Sequence, residues 1–273
     1  MRPPMPYYGG KQRIADRIVS FFPTHSHYVE PTCGSLSVLL EKPASKLETV
    51  NDLDQHLVTF WRVLRDRTDD LLRVCELTPH ARAERTLAQQ PLPGDLDEVE
   101  VARRVWVQLT QGRSGIRRPT GWRFYLNPAS TCSSMAGYLD GYRGRIPPAA
   151  WRLRDVQLEC RDALRVVDDY GRLPDTLLYV DPPYTTDVRA GGQYRHEVER
   201  DHHEQLLDLL EGCRAQVVLP GYDNALYRRR LGSWWREAIP ATTQQGGRPG
   251  TQARVEVLWM NFVPADTLFP AGW

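Results

Sequence analysis

Short runs of apolar residues recur along the chain, and residues that favour turns separate them. Several runs alternate with polar residues, which is typical of strands with one buried face. Seven segments show this pattern. They are residues 27–31 (HYVEP), 48–52 (ETVND), 156–162 (VQLECRD), 177–184 (LLYVDPPY), 216–222 (QVVLPGY), 236–241 (REAIPA) and 255–262 (VEVLWMNF).

Longer segments with apolar residues three and four positions apart lie between several of these strands, and that spacing predicts helices. The segments are residues 11–22, 54–77, 200–213 and 224–234. Strands that alternate with helices of this length predict an α/β fold with a mainly parallel sheet.

The alternation stops between the second and third predicted strands, and this interval contains two blocks of opposite charge. Residues 66–100 hold nine acids and four arginines, whereas residues 103–154 hold ten arginines and one acid. The net charge of +1 therefore conceals a basic segment. Residues 110–138 are rich in turn formers and predict a loop or hairpin. We expect residues 66–154 to form a lobe inserted into a domain made of residues 1–65 and 155–273.

Composition is ordinary for a globular protein, with 41% hydrophobic and 25% charged residues. No apolar stretch reaches the roughly 20 residues of a membrane span, and the N-terminus lacks the apolar core of a signal peptide. We therefore expect a cytoplasmic protein that does not associate with membranes. The five cysteines are far apart and odd in number, which argues against disulfides or a structural zinc site.

Acidic residues end four of the predicted strands, namely Glu30, Asp52, Asp162 and Asp181. Ligands of an open parallel sheet bind beyond the carboxyl ends of its strands. One such acid is as readily explained as a helix cap, but four favour a ligand with hydroxyl groups, amines or a positive charge.

The glycine-rich motifs that bind dinucleotides and nucleoside triphosphates are absent. S-adenosylmethionine fits better, because it has no phosphate and carries a ribose diol, an ammonium group and a sulfonium. Asp52 is placed to accept hydrogen bonds from the ribose.

Seven motifs follow one another along the chain: YYGGK (7–11), VEPTCGSLSVLL (29–40), VNDLDQHL (50–57), ECRDALRVV (159–167), DPPY (181–184), LPGY (219–222) and RVEVLWMNF (254–262). In this order they resemble a Dam-type DNA adenine-N6 methyltransferase of the α class (D12), and above all its phage and prophage members. The resemblance covers residues 7–262 except the basic insert. It implies a Rossmann-like, seven-stranded S-adenosylmethionine-dependent methyltransferase sheet, with a DNA target-recognition lobe inserted after the second strand.

The resemblance also implies a cofactor pocket formed by Tyr7, Lys11, Glu30, Gly34, Asp52 and Asp162. Lys11 would lie near the methionine end, Asp52 at the ribose and Asp162 at the adenine amino group. The first-strand loop of the family reads E-P-F-x-G-x-G, whereas this chain has Thr32 and Leu36 at the Phe and second Gly positions.

The DPPY motif suits an amine substrate. The N6 amine of adenine is a poor nucleophile because its lone pair is delocalised into the ring. The Asp181 carboxylate and the Pro182 carbonyl can each accept one N6 hydrogen and stabilise the charge that develops during transfer. Pro183 restricts the backbone, which aims that carbonyl. A base in a duplex must first be flipped out, and Tyr184 is the expected stacking platform. This chemistry requires no metal.

The basic insert is the expected face for double-stranded DNA, because arginines contact both phosphates and guanine edges. Arg113, Arg117, Arg118 and Arg123 are the candidate contacts, with Trp122 and Phe124 as wedges. His196, His202 and His203 fit no strong zinc pattern, and we expect helix-surface or capping roles for them. We expect a monomer or a weak dimer.

Two alternatives to adenine methylation stay open. Cytosine-N4 methylation uses the same amine chemistry, so DPPY does not exclude it. A DNA-binding protein that has lost catalysis is the alternative suggested by Thr32 and Leu36. Methylation of a protein glutamine fits less well, because that chemistry usually has Asn in place of Asp181 and would not explain the basic insert.

Overall fold

The structure is a computed structural model, and it describes residues 1–125, 134–183, 200–242 and 253–264. Seven strands in these residues form one sheet with the order β3-β2-β1-β4-β5-β7-β6. The strands are β1 His27–Glu30, β2 Leu47–Asn51, β3 Gln157–Glu159, β4 Thr176–Tyr179, β5 Gln216–Gly221, β6 Trp235–Thr242 and β7 Ala253–Met260. All seven predicted strands are confirmed.

The sheet is parallel from β3 to β5, and β7 runs antiparallel between β5 and β6. The mixed α/β fold with a seven-stranded sheet is as predicted. The strand order reverses between β1 and β4, since the chain builds outward from β1 to β3 on one side and from β4 to β5 on the other. The crevice beyond the carboxyl ends of β1 and β4 is therefore the expected ligand site.

Helices cover both faces of the sheet. Those in the described residues are α1 Ala15–Val19, α2 Gln55–Asp66, α3 Thr68–Leu77, α4 Arg82–Ala88, α5 Glu98–Thr110, α6 Met135–Arg143, α7 Ile146–Leu153, α8 Ala163–Gly171, α9 Arg200–Gly212 and α10 Ala225–Arg230. Helices α2 to α7 all lie between β2 and β3, where the alternation of strands and helices was predicted to stop.

The segment 54–77 was predicted as one helix, but the structure divides it at Arg67. That residue leaves the helical conformation, with φ −134° and ψ 47°. Asp69 and Asp70 then occupy the first turn of α3, where carboxylates favour a helix start because of the helix dipole. The apolar spacing continues through the break, which explains why the pattern did not reveal it.

Candidate functional site

A cleft opens at the reversal point of the sheet, with about 860 Å³ of empty space that includes open solvent. Its lining includes Tyr7, Pro31, Gly34, Asp52, Asp162, Asp181, Pro182 and Pro183. An adjoining pocket of about 400 Å³ is lined by Lys11 and Glu30 and shares Tyr7, Gly34 and Asp181 with the cleft. The structure therefore brings together the described residues predicted for catalysis and all six predicted for the cofactor. Tyr184 lies outside the described residues.

Asp181 follows β4 and forms an ion pair with Lys11, whose Nζ lies 2.7 Å and 2.8 Å from the two carboxylate oxygens. Glu256 of β7 approaches the same ammonium group at 3.8 Å. Burial raises the pKa of Asp181 to about 6, Lys11 opposes this rise, and Glu256 adds to it. Burial alone would lower the pKa of Lys11, but Asp181 and Glu256 raise it above its usual value. The result is a buried cluster of one cation and two acids.

The loop after β1 is shaped by a glycine in the left-handed region. Gly34 has φ 48°, and a Cβ there would lie 2.9 Å from the ring of Tyr7. Its N–H donates to Asp52 at 3.1 Å, and its carbonyl accepts from the Trp61 indole at 3.0 Å. Leu36 also adopts a positive φ of 55°, and its side chain is fully buried. A leucine therefore occupies a backbone conformation that favours glycine.

Asp52 lies at the floor of the cleft, immediately after β2. It accepts from the backbone N–H groups of Gly34 and Asp54, and burial raises its pKa to about 6 despite those hydrogen bonds. Asp162 lines the same cleft and also caps α8, where it accepts from the Leu164 N–H at 2.7 Å. The capping and cofactor interpretations of Asp162 are therefore compatible.

Glu30 is 2% exposed and ends β1 behind these residues. It accepts from the Tyr28 hydroxyl at 2.6 Å and from the Leu39 N–H at 2.8 Å, and burial raises its pKa to about 8. Cys33 is buried beside the loop, and burial holds the pKa of its thiol well above the usual value, so it is no nucleophile.

These residues fit S-adenosylmethionine by their chemistry. Asp52 and Asp162 offer carboxylate acceptors for hydroxyl and amino groups, and the apolar surfaces of Pro31, Leu53 and Ala163 line the same cleft. The absence of a side chain at Gly34 leaves room that a Cβ would take from Tyr7.

The predicted hairpin of the insert is present. Gly112 and Trp122 form an antiparallel bridge, flanked by the hydrogen bonds Arg113 N to Gly121 O and Arg123 N to Gln111 O. The hairpin is attached to the N-terminal loop, because the Tyr8 N–H donates to the Gly115 carbonyl at 2.9 Å.

The four arginines predicted to face DNA fall into two environments. Arg113 is exposed, and Arg118 and Arg123 are partly exposed. The Arg117 side chain is only 3% exposed and forms an ion pair with Asp54, which is itself 5% exposed. Arg117 is therefore corrected from a DNA contact to an internal anchor of the hairpin, because its charge is buried against a carboxylate.

The aromatic residues of the hairpin also have partners inside the lobe. Trp122 stacks between His80 and Phe124, at ring separations of 4.5 Å and 5.3 Å. The guanidinium of Arg82 covers both Trp122 and Phe124. Packing in the lobe thus accounts for the two rings that were expected to act as wedges.

Three residues that shape the site were not predicted as site residues from the sequence. Glu256 lies in an alternating strand whose pattern gave no reason to expect a buried acid. Asp54 was predicted only as the first residue of a helix, and it does cap α2. His203 was assigned to a helix surface or cap, but it is 1% exposed and contacts the carbonyl of Pro183. Contacts with distant segments place all three.

The chain is thus an α/β protein whose sheet reverses at a cleft lined by carboxylates. A family model described as "D12 class N6 adenine-specific DNA methyltransferase" matches residues 7–89. That segment carries Tyr7, Lys11, Glu30, Gly34 and Asp52. Among curated proteins, none matches this chain significantly.

Two solved structures resemble the chain at low identity. One is the precorrin 8w decarboxylase of Methanobacterium thermoautotrophicum, with 8% identity, a TM-score of 0.38 and coverage of 90% of this chain and 86% of the other. The second is a SAM-dependent methyltransferase from Agrobacterium tumefaciens, with 12% identity, a TM-score of 0.36 and coverage of 92% and 61%. Both TM-scores are low, so the fold assignment rests on the strand order itself.

No helix in the described parts of the chain is long and apolar enough to cross a membrane. Within the same ranges, no group of three or more His, Cys, Asp or Glu side chains is arranged to hold a metal ion.

Proposed function

We propose that the protein is a site-specific DNA methyltransferase that transfers the methyl group of S-adenosylmethionine to N6 of a flipped adenine in double-stranded DNA. The observation that carries the proposal is the placement of Asp181, Pro182 and Pro183 beside the acid-lined cleft, in a chain whose residues 7–89 match the adenine methyltransferase model.

In this proposal Asp52, Asp162 and Tyr7 hold the cofactor in the cleft, with Gly34 leaving space for it. S-adenosylmethionine supplies an electrophilic methyl group when bound. Lys11, Glu30 and the loop 33–36 border the neighbouring pocket, where Lys11 is paired with Asp181.

Asp181 is the residue that meets the substrate amine. Its carboxylate accepts one N6 hydrogen and the Pro182 carbonyl accepts the other. Both stabilise the positive charge that the nitrogen gains as the new N–C bond forms and the bond between the methyl group and the sulfonium sulfur breaks. The methylated amine must then lose one proton, which the Asp181 carboxylate can accept. A carboxylate with a pKa of about 6 is ionised at neutral pH and is suited to hold that proton briefly.

We further propose residues 66–154 as the target-recognition lobe, with the exposed arginines of the hairpin on the DNA. The exposure of Arg113 and the partial exposure of Arg118 and Arg123 support that role, because binding to the phosphate backbone is mainly electrostatic.

The test is product analysis. Duplex DNA of mixed sequence incubated with protein and S-adenosylmethionine should gain N6-methyladenine. Asp181→Asn should lower the rate by about 100-fold or more, because an amide cannot carry the negative charge that stabilises the transition state. DNA binding should persist in this variant.

Asp175→Asn is the matched control, since Asp175 lies just before β4, at the other end of that strand from Asp181. N4-methylcytosine as the product would favour the alternative substrate. Absence of any methylated base, together with no calorimetric binding of the cofactor, would reject the enzyme and favour a DNA-binding protein.

A further inference from the structure

The segment Asp181-Pro182-Pro183 has few backbone donors of its own, because both prolines lack an N–H. The Val180 N–H, just before the segment, donates to the Val218 carbonyl at 2.9 Å. At the two prolines the path of the chain depends on side chains and on donors directed at the carbonyls of the segment. Lys11 performs this task for the Asp181 carboxylate.

His203 of α9 supplies the donor on the carbonyl side. Its imidazole is 1% exposed, with Nε2 2.9 Å from the Pro183 carbonyl and Nδ1 3.0 Å from the Tyr227 hydroxyl. A carbonyl only accepts, so Nε2 must carry the proton. In the neutral ring Nδ1 is then an acceptor, and the Tyr227 hydroxyl donates to it.

Tyr227 is itself rigidly placed. Burial raises the pKa of its hydroxyl well above the usual value, so the proton that it donates is retained at physiological pH. Its N–H donates to the side chain of Asn224, the N-cap of α10, at 2.9 Å. The ring packs against Gly221 of β5, where a Cβ would lie 3.1 Å from Cε2, and edge-on against Trp259 of β7.

These contacts form a continuous path from strands β5 and β7 to the segment that is proposed to meet the substrate. We propose that His203, held in its Nε2–H tautomer by Tyr227, is a positioning residue that fixes the carbonyl side of Asp181-Pro182-Pro183. The inference rests on the proposed function, since the aim of the Pro182 carbonyl matters only for an amine that it binds. Pro182 and Pro183 share a peptide bond, so a shift of the Pro183 carbonyl also moves that of Pro182.

Substitutions at His203 separate this role from simple packing. The amide nitrogen of His203→Gln reaches the position of Nε2 and can donate to the Pro183 carbonyl. The amide of His203→Asn is one methylene shorter and reaches only the position of Nδ1. Both variants bury one amide, so they are matched for polarity.

Methylation assays should show a kcat near the wild-type value for His203→Gln. For His203→Asn and His203→Leu we expect a fall of about 10- to 100-fold, the size expected when a reacting group is misplaced by about 1 Å. The KM for S-adenosylmethionine should stay unchanged in all three variants, because His203 is not one of the residues proposed to bind the cofactor. Equal kcat values for the Gln and Asn variants, or a wild-type kcat in His203→Leu, would overturn the proposal.

A second measurement does not depend on activity. Nitrogen-15 NMR of histidine-labelled protein, with the His203 signals assigned from the His203→Gln spectrum, should show a protonated Nε2 and an unprotonated Nδ1. Tyr227→Phe removes the donor to Nδ1 and should weaken this preference. A protonated Nδ1 with an unprotonated Nε2 in the wild type would overturn the hydrogen-bond chain.

The two readouts also distinguish failure of this inference from failure of the proposed function. If the wild-type protein methylates no DNA, the proposed function fails and the positioning role fails with it, while the NMR result still decides whether the chain from Tyr227 to Pro183 exists. If the wild type methylates DNA and His203→Gln does not retain kcat, only the inference fails.

Discussion

At the scale of single residues, burial controls the charge state of the site. Asp52 and Asp181 both have pKa values of about 6, and Glu30 has one of about 8. At neutral pH the first two are ionised and Glu30 is mostly protonated. The three carboxyl groups all lie at strand ends, but they differ in charge at neutral pH because their surroundings differ.

The pH dependence of methylation should report Asp181. The carboxyl group must be ionised to accept an N6 hydrogen, so kcat/KM for DNA should rise with pH through about 6 and then level off. Lys11 lowers the pKa of Asp181, so Lys11→Met should move the acidic limb to higher pH. Glu256 raises it, so Glu256→Gln should move the limb to lower pH. Rate profiles of the three proteins between about pH 5 and about pH 9 test this.

Lys11→Met and Glu256→Gln serve as controls for each other, because we expect them to move the acidic limb in opposite directions. A common loss of activity with no change in the position of the limb would show that Lys11 and Glu256 act only on folding. Shifts in the same direction would contradict the assignment of the limb to Asp181.

At the scale of elements, the strands were predictable and much of the site was not. Short buried runs such as Leu177–Val180 end in turn residues, and that local pattern located all seven strands. The strand-end rule then located Asp52 and Asp181. The helices α4 to α7 were not predicted one by one, because charge and turn residues in residues 78–154 obscure their spacing.

The residues that sequence analysis misassigned have their roles set by distant partners. Nothing local distinguishes the buried His203 from the neighbouring His202, or the buried Arg117 from the partly exposed Arg118. His203 is buried against Pro183 and Arg117 against Asp54, and both partners lie many residues away in the sequence.

The hairpin of residues 112–122 is anchored to the N-terminal loop and to the start of α2, and this attachment predicts an effect of Arg117 beyond the hairpin. Asp54 pairs with Arg117, and its N–H also donates to Asp52 at 2.9 Å. Arg117→Met leaves the Asp54 carboxylate buried without its ion-pair partner. We expect the free energy of unfolding to fall by about 3 kcal/mol. Affinity for S-adenosylmethionine should fall as well, because the Asp52 loop loses support.

Denaturant unfolding and calorimetry measure the two effects. Adding Asp54→Asn to Arg117→Met should restore most of the stability, since the amide can still cap α2 without a buried charge. Arg118→Met is the control. Arg118 follows Arg117 in the chain, but its side chain forms no ion pair with the described residues, whereas Arg117 pairs with Asp54. Equal effects of Arg117→Met and Arg118→Met would contradict the anchor.

At the scale of the whole molecule, exposed arginines lie on both sides of the sheet, at opposite ends of its strands. The basic hairpin lies on the side of the cleft, where Tyr8 and Asp54 hold it. Arg172 lies at the opposite end of the strands, at the C-terminal end of α8, with 68% of its side chain exposed. DNA affinity should depend on the arginines of the hairpin and not on Arg172.

The salt dependence of DNA binding tests this division. Each phosphate contact contributes about 0.9 to the slope of log K against log salt. The double variant Arg113→Ala, Arg118→Ala should therefore reduce that slope by up to about 2. Arg172→Ala should leave it unchanged. Equal slopes for the double variant and the wild type would place the DNA on another surface.

One hydrophobic core joins the sheet to the inserted helices. Trp61 of α2 and Trp106 of α5 belong to the same cluster as Tyr28 and Val50 of the sheet. The cluster also includes residues of α6 and α7, such as Leu139 and Leu153. The opposite face of the sheet has a separate cluster with α8, α9 and α10.

That shared core limits how the protein can be engineered. Exchanging residues 66–154 for the lobe of a related protein would place foreign side chains in the core cluster that contains Tyr28 and Val50 and would replace the helices that pack against α2. Substitutions intended to change the proposed DNA contacts are better confined to the exposed or partly exposed positions of the hairpin, such as Arg113 and Arg118. New specificity is therefore more accessible through a few surface positions than through a module swap.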